Sequence, residues 1–201
     1  MNVDQNLAAL QPASRQGYGG RLTSPEGLST LQELSRLAAG LGLAGVYGLA
    51  LGARSGGVLL LRHALGVPLG LLVVGAVVVP SLFVVLALLD APMTPSKMLS
   101  ASARSLASTG LVLSGLAPAA ALLVVTITSA DAAALVAKLG FLLAGGIGIL
   151  GLVGSVRAAL VESPSFLRMN VFVALCGFSV IAVALAVRAW SGLLPILGGA
   201  L

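Results

Sequence analysis

The chain has 201 residues, 58% of them hydrophobic and 8% charged, where soluble domains carry about 25% charged residues. Its net charge is +5 and its pI near 10.4, but the 11 Lys and Arg are scattered, without a basic run or interleaved aromatics, which argues against a nucleic-acid partner. The single cysteine, Cys176, forms no intrachain disulfide and no zinc site, and its apolar setting predicts a small core residue.

Residues 65–89 form a run of 25 positions without a charge. A bilayer core roughly 30 Å thick needs about 20 apolar helical residues to cross it, and in hydrocarbon every backbone polar group must be satisfied internally. The expected fold is therefore all-α: a polytopic transmembrane helical bundle of about five spans, preceded by an interfacial amphipathic helix. Residues 1–24 read as a disordered polar tail and 25–201 as the transmembrane domain.

In chain order, Ser24-Pro25-Glu26 reads as a helix start, and Thr30-x-x-Glu33 has capping-box spacing. Leu28, Leu31, Leu34 and Leu37 recur at helical spacing, so this stretch is expected at the membrane surface before span 1 at 37–53. Span 1 carries Gly48, Gly52 and Gly56 on one stripe, where small residues let helix backbones approach. A connecting segment from Arg54 to Gly66 holds the only histidine, His63, read as solvated or headgroup-facing. Span 2 at 67–89 contains Pro80, and the polar segment Asp90 to Arg104 follows. Span 3 at 106–127 contains Pro118 and the hydroxyls of Thr109, Ser114 and Thr126. A very short turn makes spans 3 and 4 an antiparallel hairpin. Span 4, at 133–154, has a second small-residue stripe, Gly140, Ala144 and Gly148. Span 5 covers 170–188, and Trp190 is expected as an interfacial anchor.

With the N-terminus inside, seven basic residues face the cytoplasm (Arg15, Arg21, Arg36, Lys97, Arg104, Arg157, Arg168) and three face out (Arg54, Arg62, Arg188). That is the asymmetry of the positive-inside rule. A start without a basic n-region predicts an uncleaved anchor rather than a cleaved leader. Gly, Ala, Leu, Val and Arg usage points to a GC-rich bacterial genome, hence a multi-pass protein of the cytoplasmic membrane.

The chemistry-bearing patterns are few. No zincin, Walker A, paired-cysteine or nucleophile-elbow motif occurs, so neither an enzyme nor a cofactor nor a metal site is expected. No acid falls mid-span, which speaks against ion-coupled transport through carboxylates. Lys138 is the one charge well inside a span; it either snorkels or pairs with Asp131, or it lines a site for an anionic headgroup or solute. Pro80 and Pro118 each remove a helical hydrogen bond, freeing the carbonyls of Ala76 and Ser114. They either shape packing or form a hinge or cavity, in which case the two kinks face each other. The glycine stripes join helices within the monomer or between copies.

The segment from Val46 to Pro95, with residues 111–129, resembles a family of small bacterial integral-membrane proteins of unassigned function, some with Yip1-like five-span topology. The matching positions are Tyr47, Gly48 and Gly52; Val67 and Pro68; Pro80, Ser81, Leu82 and Phe83; then Leu113, Ser114, Leu116, Ala117 and Pro118. Gly66 departs from that pattern, as do Leu122 and Leu123. The likeness implies a fold and a compartment and supplies no catalytic residues. The expected function is non-enzymatic: scaffolding or organising partners or lipid, with the bilayer, a second copy or another membrane protein as partner. The alternative is a component of a transporter or channel.

Overall fold

A computed structural model of the chain describes residues 25–161 and 163–194. They form five helices: α1 (Pro25–Gly52), α2 (Gly57–Leu88), α3 (Pro95–Thr126), α4 (Ala130–Ala159) and α5 (Ser165–Leu193). No strand occurs among the described residues. Each helix has a stretch long and apolar enough to cross a bilayer, which makes this an all-helical, multi-pass membrane protein.

The helices are longer than the sequence suggests. At 28 to 32 residues they measure about 42–48 Å, against a hydrocarbon core of roughly 30 Å. Their polar ends absorb most of what reads as loop. The segments Arg54 to Gly66, Asp90 to Arg104 and Arg157 to Arg168 shrink to connections at 53–56, 89–94 and 160–164. The surface stretch and span 1 are one uninterrupted helix through Thr30, so Thr30 and Glu33 are not a capping box. Glu33 instead accepts from Ser100 Oγ at 2.9 Å and lies 3.5 Å from Arg36 and 3.6 Å from Arg104. Helix starts are set locally. Thr94 Oγ1 accepts from Lys97 N–H, with Pro95 in the first helical position, and Ser129 Oγ accepts from Ala132 N–H. The tail 1–24, Ser24 with its capping role, and residues 195–201 lie outside the described residues.

Packing partners are not simply sequence neighbours. The tightest pair is α1 with α3, which run parallel: Glu33 meets Ser100, and Gly40 meets Ala107 and Gly110. Antiparallel contacts join α1 to α2, α3 to α4, and α2 to α5. The order around the bundle is thus α4, α3, α1, α2, α5, an arc rather than a closed ring. Two buried clusters hold it. One joins Tyr47, Leu51, Val67, Leu113, Phe141 and Trp190, among others; the second joins Leu82, Leu86, Met98, Val156, Leu160, Val171 and Leu175. Helices α4 and α5, at the two ends of the arc, touch sparingly.

Candidate functional site: a lateral groove between α4 and α5

The glycine stripes of the sequence mostly do serve helix contact, within one chain. A Cβ on Gly48 would run into the His63 carbonyl, and one on Gly52 would lie 2.9 Å from Leu60 Cα, so both let α2 approach α1. A Cβ on Gly140 would strike the Tyr47 hydroxyl, one on Gly148 the Thr109 hydroxyl, and Ala144 between them is fully buried. Gly56 is a correction. It lies outside α1 with φ 63° and nothing within 4 Å of its Cβ position. It reverses the chain between α1 and α2, a left-handed conformation that glycine adopts without steric cost.

The tightest crossing went unread in the sequence. A Cβ on Gly110 would overlap the Gly40 carbonyl, and one on Gly40 would lie 2.5 Å from Ala107 Cα. Gly40 is spaced four residues before Ala44, and Gly110 is three after Ala107, so a small-residue search including alanine would have found both. The second missed feature is polar. Ser105 Oγ donates to the Gly148 carbonyl at 2.6 Å, an interhelical bond between α3 and α4.

Packing reverses the expected setting of His63 and Cys176 and gives Trp190 its partners. His63 is 1% exposed, inside α2 against Gly52, with its Nδ1 2.8 Å from the Leu59 carbonyl. Trp190, three residues from the end of α5, is buried against its neighbours. It nests over Gly70, stacks on Phe141 at 4.0 Å between centroids, and donates to the Val67 carbonyl at 3.5 Å. Cys176 is exposed on α5 rather than in the core.

The paired-proline cavity does not form. Pro80 and Pro118 both lie on the exposed surface of uninterrupted helices, and α1 packs against α2 and α3, which meet each other little. Ser81 Oγ donates to Val77 O and Ser114 Oγ to Leu111 O, so neither reaches a carbonyl the prolines free. Thr126 likewise bonds its own helix, at Leu122 O.

The arc instead leaves a groove. It has a volume of about 550 Å³, within the roughly 300–1,000 Å³ of small-molecule pockets, and its walls come from α2, α3, α4 and α5. Leu71, Val74 and Val78 line one wall, Leu142, Gly145, Gly146 and Ile149 another, Val183 and Ala186 a third. The Phe141–Trp190 stack is part of the lining towards one end, beside Lys138 and Ser191. The hydroxyls of Ser102, Ser105 and Thr109 in its wall already bond carbonyls of Met98, Gly148 and Ser105. Lys138 is its one charged lining residue. The lysine is exposed, and the pairing with Asp131 does not form: Lys138 has no ion-pair or hydrogen-bond partner among the described residues.

A second hollow of about 590 Å³ sits at the far end of the same seam, lined by Arg157, Arg168, Ser165 and Phe172. The Arg157 guanidinium lies 5.6 Å from the Phe172 ring centroid, a cation–π contact tying α4 to α5. No cluster of three or more metal-ligating side chains occurs among the described residues. The arrangement supplies an apolar slot with one cation, Lys138, in its lining, and a separate hollow beside Arg157 and Arg168. Comparison with protein families, curated proteins and solved structures finds no match to this chain.

Proposed function

We propose that this chain is a non-enzymatic integral membrane protein that organises lipid, and through it membrane partners, in the bacterial cytoplasmic membrane. The carrying observation is the groove: an apolar slot on a membrane-embedded bundle, lying along the α4–α5 seam with Lys138 in its lining, and with a second hollow on the same seam lined by Arg157 and Arg168. A slot with satisfied hydroxyls and apolar walls favours hydrocarbon over water, since an apolar cavity stays dry. Basic residues near a bilayer surface attract anionic headgroups. The resemblance to small bacterial membrane proteins supports the same compartment. Orientation follows the charges. Arg36, Lys97, Arg104, Arg157 and Arg168 fall towards one end of the bundle, and Arg54, Arg62 and Arg188 towards the other. The positive-inside rule then supports a cytoplasmic N-terminus.

The second reading, a transporter component, keeps Lys138 in the groove as its support and loses the facing prolines. One reconstitution separates the two. In vesicles carrying spin-labelled phospholipid, the lipid-organising reading expects a motionally restricted lipid fraction and no flux of entrapped anions or cations. Flux above that of protein-free vesicles, without a restricted fraction, would overturn it in favour of transport.

A further inference from the structure

Two glycines in the groove have no packing task. A Cβ placed on Gly145 or Gly146 meets nothing within 4 Å, although both residues line the groove and are only half-buried. Every other glycine that α4 contributes to a tight contact is accounted for by Tyr47 or by Thr109 and Ser105. In a helix interior glycine is among the least favourable residues. What the pair does supply is width: two absent side chains at the middle of the slot.

The dimensions and the charge point to one kind of occupant. Lys138 to Leu152, both lining the groove, are 14 residues apart, or about 21 Å along the helix. One leaflet's hydrocarbon is roughly 15 Å deep, so the slot holds the full length of a single acyl chain. Helix α4 is 30 residues, about 45 Å, which leaves about 7 Å beyond a 30 Å core at each end when centred. Lys138 is eight residues from Ala130, about 12 Å along the axis, hence about 5 Å inside the hydrocarbon boundary. A lysine stem crosses that distance to put its ammonium at the phosphate level. No acid lines the groove to neutralise it.

We infer that the groove is a specific site for one anionic glycerophospholipid, with an acyl chain lying over Gly145 and Gly146 and the phosphate held by Lys138. This rests on the lipid-organising reading and adds to it a stoichiometry, a headgroup charge and an address. A second copy of the chain, inserting a helix into the slot, is the competing occupant.

The test is native mass spectrometry of the full chain in detergent, titrated with phosphatidylglycerol or with phosphatidylcholine of the same chains. One tightly held lipid per monomer is expected, with phosphatidylglycerol preferred about fivefold, the factor that one basic residue near an anionic headgroup supplies. Lys138→Gln removes the preference but keeps phosphatidylcholine binding, and Lys138→Arg retains it. Gly145→Leu/Gly146→Leu fills the slot and abolishes binding of both lipids. Val183→Phe fills it from the opposite wall and does the same, which covers a glycine variant that fails to fold. An unchanged preference in Lys138→Gln overturns the site, as does wild-type binding in a folded slot-filled variant. So does a dimer that the slot-filling substitutions dissociate. Those outcomes leave the spin-label result untouched, so loss of this site and loss of the lipid-organising function are read separately.

Discussion

The α1–α3 crossing predicts opposite effects for two substitutions that look alike on paper. Gly110→Ala places a methyl group into the Gly40 carbonyl, a backbone atom that no rotamer change can move aside. The helices must separate, and because this is the most extensive interface in the bundle, neighbouring contacts loosen with it. Over-packing costs about 1–3 kcal/mol, and a backbone clash belongs at the upper end, while alanine recovers up to ~1 kcal/mol of helix propensity. The net loss is about 2 kcal/mol, or roughly 4–8 °C in melting temperature for a chain of this size. Gly115→Ala, five residues along the same helix with nothing within 4 Å, gains propensity without a clash and should melt about 2–4 °C higher. Thermal unfolding of both variants in one detergent, followed by circular dichroism, measures the difference. Adding Gly40→Ala to Gly110→Ala should cost less than the sum, because one separation of the helices relieves both clashes. If Gly110→Ala melts with or above Gly115→Ala, the crossing is not as close as described and the packing argument fails.

Three other outcomes are expected. Ser105→Ala removes the interhelical bond to Gly148 and should destabilise by about 0.6 kcal/mol, the average for such bonds in membranes; a loss above about 2 kcal/mol would show that the hydroxyl does more. Arg54→Ala leaves the carbonyls of Ile127 and Thr128 at the end of α3 without their guanidinium donor, so proteolytic nicking of the 127–129 turn should rise, and an unchanged cleavage rate would count against the capping role. On a Cys176→Ala background, cysteines at positions 97 and 130 should label from opposite sides, with 97 cytoplasmic; labelling from one side would refute the alternating topology.

Sequence alone determined that this is a bundle of five membrane-crossing helices, because hydrocarbon thickness and the demand for internal backbone hydrogen bonds act on each segment by itself. It also located the glycines at 48, 52, 140 and 148 that let helices approach, since small residues at four-residue spacing mark a face whatever that face meets. Which face meets which was left to the tertiary structure. Gly56 continued the stripe by arithmetic, but the chain turns there, so it packs nothing. His63 and Cys176 each changed environment from the expected one, because in an apolar segment burial depends on a neighbour's position and not on the residue's own polarity. The groove was the least legible feature. Its walls come from four helices, and it exists because α1 pairs with α3 across the sequence, leaving α4 and α5 at the two ends of an arc. Lys138 was visible as an anomaly in the chain; only the fold gave it a slot to stand beside.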